Sequence, residues 1–137
     1  MGQQQLLLIV LSVIIVGIAV VVGIQMFSAS AASSNLEAVT SDLLNLASRA
    51  QQYYVKPTGL GGGGNSFAGL SADASGIAKL TARSTNDNGT YTISTAGNAT
   101  SVTLQGVGTQ DGDGDGTNCT VQVTVFPDSL ATTIVNR

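Results

Sequence analysis

Three aspartates stand at alternate positions in Gln110-Asp111-Gly112-Asp113-Gly114-Asp115-Gly116, and no other stretch of the chain concentrates as much chemistry. Carboxylates spaced this way and followed by Gly match the opening of a calcium loop, D-x-D-x-D-G. The glycines there permit the tight turn that lets oxygens converge on a hard cation. In the twelve-residue frame Thr117 supplies a backbone carbonyl, but position twelve is Gln122, where a bidentate Glu is expected. Without a cation, crowded carboxylates repel one another. Two readings stand. Asp111, Asp113 and Asp115 hold Ca2+ in a weak site, on the order of 10⁻⁴–10⁻³ M as in extracellular modules, that stiffens a loop. Alternatively, they form a solvated acidic turn between two strands.

The other candidate chemistry is sparser. Asn88, Asn98 and Asn118 each open an Asn-x-Thr sequon and are candidate glycosylation sites, although a chain rich in Asn and Thr also produces such triplets by chance. There is no His and one Cys, Cys119, which excludes His-based catalysis, Cys/His zinc sites and an intrachain disulfide. A Ser or Asp nucleophile needs a partner base in a cleft, and nothing in the sequence marks one, so the chain reads as non-enzymatic and requires no cofactor. Tyr53, Tyr54, Tyr91, Phe67 and Phe126 are read as packing residues rather than a binding stripe. Cys119 reads as a small apolar residue. With 5 basic and 8 acidic side chains and a net charge of −3, the chain lacks the clustered cations that nucleic acid requires.

The element that must carry all this begins at once. Residues 6–24, LLLIVLSVIIVGIAVVVGI, contain fifteen Leu, Ile or Val among nineteen residues, and no charged side chain precedes Glu37. At roughly 1.5–3 kcal/mol per buried aliphatic side chain, leaving this run in water costs tens of kcal/mol, so lipid or other copies of the chain must cover it. The run is long enough to span a bilayer, about 28 Å at ~1.5 Å per residue. It has no basic n-region, so it reads as a retained span rather than a removable signal. The Lys or Arg that normally flanks a single-span anchor is also missing, the first cation being Arg49.

Beyond the run, Leu36, Val39, Leu43, Leu46, Ala50 and Tyr53 recur at 3-4-3-4-3 spacing, one apolar stripe on a helix. Asn35, Glu37, Ser41, Asp42, Asn45, Ser48, Arg49 and Gln52 occupy the rest of that helix. The spacing predicts a single helix over residues 1–54. Residues 1–27 are the membrane span or filament core, and residues 28–54 pack on a head. Gly17 and Gly23 are its weak points, each costing about 1 kcal/mol against Ala. A Gly-rich loop over residues 55–66 reads as a flexible connector, without the Lys-Ser/Thr ending of a phosphate cradle.

Residues 67–137 have β and turn composition. Alternation predicts strands over residues 90–94, 101–105 and 120–125, with a last strand over 130–135, while residues 77–82 are ambiguous. One face of such a sheet is apolar, and the stripe Leu36–Tyr53 is the element available to cover it. The expected fold is α+β: a long N-terminal helix, apolar in its first half and amphipathic in its second, packed on a small antiparallel sheet.

A fully apolar then amphipathic N-terminal helix feeding a small β head resembles the type IV pilin superfamily. In that family a leader is trimmed after a Gly, and Gly2 before Gln3-Gln4-Gln5 resembles such a processing site. The resemblance covers the architecture of the whole chain and is specific in sequence over about the first 55 residues. Two family features are absent. No Glu occupies the fifth mature position in any register (Leu7, Leu6 or Gln5), and no Pro interrupts the apolar helix.

What the resemblance implies is a structural subunit. It is held in the inner membrane before assembly and extracted by pilus assembly machinery. The product is an extracellular, surface-located helical homopolymer, a type IV pilus-like fimbrium of the kind used in cell adhesion. The core of that filament would be Leu6, Leu7, Leu8, Ile9, Val10, Leu11, Val13, Ile14, Ile15, Val16, Ile18, Val20, Val21, Val22 and Ile24. Two alternatives remain open: a pseudopilin of a secretion or DNA-uptake machine, whose heads include calcium binders, and a membrane-anchored β binding module.

Overall fold

The structure, a computed structural model, describes residues 2–137; Met1, the first residue of the expected helix, lies outside the described residues. Helix α1 runs unbroken over Gly2–Val55, about 80 Å at ~1.5 Å per residue. It remains helical through Gly17 and Gly23. Burial starts only at Ala32, and from there Val39, Leu43, Leu46, Ala47 and Ala50 form the covered face. Leu36 and Tyr53 pack at its margins, half-buried. Ala47 extends the stripe read from the sequence within the core, while Ala32 is covered separately, by Gly112 and Arg137.

The sheet has four strands, β1 (Gly89–Thr95), β2 (Val102–Gly108), β3 (Thr120–Val125) and β4 (Leu130–Asn136), in sequential antiparallel order. This is the expected α+β architecture. Tyr91 and Ile93, then Val102 and Leu104, then Val121, Val123 and Val125 point to one face and are buried there, as period-2 alternation requires. Helix α1 crosses that face over β2 and β3, the two central strands. It passes close at Gly106, where an added Cβ would meet Val39 Cγ1 at 2.7 Å and the Tyr91 ring at 3.0 Å.

One helix, about 10–12 Å wide with its side chains, does not cover four strands at about 4.8 Å spacing. The β1 side is closed by a short helix, α2 (Ala74–Ala78), whose last two residues open the ambiguous segment 77–82; the rest of that segment is neither helix nor strand. Asp73 caps it, its carboxylate accepting from the backbone N–H of Ser75 and Gly76, both at 3.0 Å. Hydroxyl donors from Ser75 and Ser71 and the Gly76 N–H hold the Asp73 carboxyl down at about 2. The β4 side has no such cover. Every residue from Leu130 to Val135 is exposed, although Leu130, Thr132 and Ile134 lie opposite the buried Val125, Val123 and Val121 and so share the helix-side face.

The glycine run is not the flexible connector expected from composition. Its backbone folds back on the end of α1: Gly63 N–H donates to Tyr53 O at 2.7 Å, Gly64 N–H to Lys56 O at 2.9 Å and Asn65 N–H to Tyr54 O at 2.6 Å. These bonds satisfy carbonyls that the helix end would leave unpaired. Gly61 and Gly64 take positive φ (83° and 58°), and Gly62 and Gly63 abut backbone carbonyls, so the composition serves a tight cap.

Candidate functional site

The most extensive exposed apolar surface is the first half of α1. Its fifteen Leu, Ile and Val side chains from Leu6 to Ile24 are each 47–69% exposed on the isolated chain, on every side of the helix. Met26 and Phe27 continue the exposed apolar surface towards the head. The one hydroxyl in the run, Ser12 Oγ, donates to Leu8 O at 2.7 Å, so no side-chain polar group there needs water. Gly2 opens the helix with open space around it. Among the described residues this is one helix long and apolar enough to cross a membrane, with a mean hydropathy of 3.3 over its most apolar window.

Two polar brackets join this helix to the head, and both use residues that the sequence pattern assigned to the helix's polar surround. Asn35 is half-buried: its Nδ2 donates to Asn88 O at 2.8 Å, while its Oδ1 accepts from Thr109 N–H at 2.9 Å and from Cys119 Sγ at 3.1 Å. About two turns further on, Asp42 Oδ2 accepts from Tyr91 OH at 2.6 Å, Asn88 Nδ2 at 2.9 Å and Asn86 Nδ2 at 3.0 Å. Burial pushes the Asp42 carboxyl up, but the donors Asn88, Tyr91 and Asn86 together outweigh it and hold it below the ordinary carboxylate range. Tyr91 is pushed up, first by burial and then by the Asp42 carboxylate that accepts its proton. The missed signal was pairing: polar residues spaced seven apart along one edge of the apolar stripe reach the same hairpin end.

The three aspartates do come together. Asp111, Asp113 and Asp115 place carboxylate oxygens within 4.8 Å of one another on an exposed loop between β2 and β3. The loop supplies its own donors. Asp111 accepts from Gly114 N–H at 2.7 Å and Gly116 N–H at 2.8 Å, Asp113 from Asp115 N–H at 3.2 Å, and Asp115 from Thr117 N–H at 2.7 Å and Asn136 Nδ2 at 2.9 Å. The Gly116 and Gly114 amides hold the Asp111 carboxyl low, and Asn136 followed by the Thr117 amide does the same for Asp115. Gln122, the twelfth position of the calcium frame, sits on β3 with its amide donated to Gln105 Oε1 at 2.9 Å, so it does not close the loop. Three carboxylates suit a hard cation, but donors within the chain already offset much of their mutual repulsion.

The sequons differ in what their amides do. Asn88 is half-buried with its amide on Asp42; Asn118 is exposed but donates Nδ2 to Gly108 O at 3.1 Å, and Thr120 of its triplet is buried. Asn98 is exposed at the β1–β2 turn.

Comparison with protein-family models, curated proteins and solved structures returns no match.

Proposed function

We propose that this chain is a structural subunit that polymerises through its N-terminal helix into an extracellular, type IV pilus-like filament, with the β heads on the outer surface. The observation that carries the reading is the uncharged apolar surface around the whole circumference of residues 6–24, on a helix that continues without a break into the head. A helix apolar on one side docks once; a helix apolar all round needs neighbours on all sides, which a bundle of identical helices provides. An unpaired charge in such a core costs several kcal/mol, and this helix has no charged side chain before Glu37.

Two further features favour assembly over a solitary anchor. No linker separates span from head, so the head is held rigidly relative to the helix, as a repeating lattice requires and a tethered binding module does not. The head also carries further exposed apolar side chains on the uncharged strand β4, Leu130 and Ile134 on its helix-side face, a surface suited to subunit contact. Before assembly the same span would hold the subunit in the membrane.

The test is electron microscopy of material sheared from native cells, with mass spectrometry of that fraction. Uniform thin filaments containing this chain are expected, and the N-terminal mass locates processing around Gly2. Recovery of the chain only as a detergent-soluble monomer would overturn the proposal in favour of the membrane-anchored β module.

A further inference from the structure

The turn between β1 and β2 presents one asparagine in a manner unlike any other sequon of the chain. Asn98 Oδ1 accepts from Thr100 N–H at 2.8 Å, Ser101 N–H at 2.8 Å and Thr100 Oγ1 at 3.0 Å. Backbone N–H groups are obligate donors, so the carboxamide oxygen must face inward and Nδ2 must face out. That nitrogen has no hydrogen-bond partner among the described residues, and Asn98, Ala99 and Thr100 are all exposed. The backbone is nonetheless ordered: Asn98 N–H donates to Ser101 O at 2.8 Å, and Asn98 O accepts from Phe67 N–H at 2.9 Å.

The position of the turn matters as much as its geometry. Phe67 stacks on Tyr54, in the last turn of α1, with ring centroids 4.8 Å apart. Asn98 therefore sits at the end of the head farthest from the apolar span. Asn88 lies instead beside Asn35, and Asn118 bonds Gly108, next to Asn35, some 19 positions and about 28 Å nearer the span.

We propose that Asn98 is the acceptor of an N-linked glycan, donated by a lipid-linked saccharide and placed on the outer tip of the head. In the transfer, the carboxamide nitrogen of Asn98 attacks C1 of a sugar carried on a polyprenyl phosphate or pyrophosphate. The N–C1 bond forms as the C1–O bond breaks, one amide proton passes to a base of the transferase, and the lipid phosphate leaves; nothing is oxidised or reduced. The product keeps Oδ1 as a carbonyl acceptor, so all three turn bonds survive modification. At Asn88 the same bond would drive a sugar into the contact between hairpin and helix, where Nδ2 sits on Asp42. At Asn118 it would leave a single N–H on the nitrogen that bonds Gly108 O and crowd that contact with the sugar.

The assignment rests on the proposed delivery of the head to the far side of the membrane, and the test keeps the two apart. The chain is purified from native cells and digested with chymotrypsin, whose cuts after Tyr91 and Leu104 isolate Asn98 from the other two sequons. Mass spectrometry of the 92–104 peptide should show a saccharide increment, absent from the peptides that carry Asn88 and Asn118. Thr100→Ala, which removes the sequon but keeps two of the three bonds to Oδ1, should abolish the increment while circular dichroism shows the head folded. In parallel, a membrane-impermeant amine label is added to intact cells, and its incorporation at the exposed Lys56 and Lys79 is read by mass spectrometry. A labelled head with bare Asn98, or with the increment at Asn88 or Asn118 instead, overturns the glycan assignment alone. A head that the label cannot reach overturns the filament reading and this assignment with it.

Discussion

Ile15→Lys places one charge at the centre of residues 6–24, and the structure sets its cost. The side chain is 58% exposed on the isolated subunit, so the lone chain loses no packing from the change. The nearest residue buried by the head is Ala32, 17 positions or about 25 Å along the helix, which leaves the head core untouched. The nearest acidic side chain on the same chain, Glu37, is 22 positions or about 33 Å away, far beyond the reach of a lysine. Each end of the span lies about 14 Å off, so the ammonium cannot reach the interface without distorting the helix. The full penalty therefore applies: about 2.5–3.5 kcal/mol per chain at the centre of a bilayer, and several kcal/mol per ion in a dry helical core, repeated in every copy. Ile15→Val, at about 0.5–1.5 kcal/mol, is the matched control. The assay is electron microscopy of sheared filaments, with protease resistance and circular dichroism of the detergent-extracted subunit reporting the head. Filaments should persist in the valine variant and vanish in the lysine variant, with the head folded in both. Normal filaments built from Ile15→Lys subunits would refute the argument, because a core able to hold an unpaired ammonium is not the dry bundle described.

Other expectations follow from the brackets and the acidic loop. Asp42→Ala strands the buried Tyr91 hydroxyl and two amides without their acceptor, and a loss of about 2–4 kcal/mol is expected in chemical denaturation. Since the folded Asp42 pKa lies below its unfolded value of about 3.9, its contribution is complete above that pH and lost as pH falls through the folded value; Asp42→Asn should flatten that acid limb. Gly108→Ala drives a methyl group into Asn35 Oδ1 and Cys119 Sγ, and a loss of about 1–3 kcal/mol should appear as a lowered Tm. If the Asp loop holds calcium near 10⁻³ M, 10 mM Ca2+ should stabilise the head by about 1.4 kcal/mol, an effect absent from Asp113→Asn; no rise in Tm in the parent would leave a solvated acidic turn.

The fold was legible because its two main signals have different periods. Val121, Val123 and Val125 alternate at period two, Leu36 to Tyr53 recurs at 3-4 spacing, and each face is buried where the pattern put it. What the pattern did not carry was width. Alternation places Leu130 and Ile134 on the core side, but nothing local to β4 says that the helix lies over β2 and β3 and leaves the fourth strand uncovered. Polar pairing was hidden for a related reason. Asn35 and Asp42 fall off the apolar stripe, and nothing local marks a partner for either, since Asn88 and Tyr91 are more than 45 positions away in sequence. The glycine run misled by composition, since the same residues serve a loose linker and a tight cap.

A continuous helix with brackets on one edge also couples the two halves of the molecule. Asn35 and Asp42 fix the rotation of α1 against the β1 end of the sheet, and Gln51 Nε2 donates to Phe126 O at 3.0 Å on the other flank. With the helix pinned on both edges, each head points in a direction set by the rotation of its own α1. Any arrangement of the apolar halves in a bundle would therefore dictate how the heads face one another, including which neighbour meets the bare edge of β4. A flexible joint between span and head would break that link. The unbroken backbone through residues 25–35 preserves it, so in the proposed filament the brackets, although far from the apolar run, would set how neighbouring heads meet.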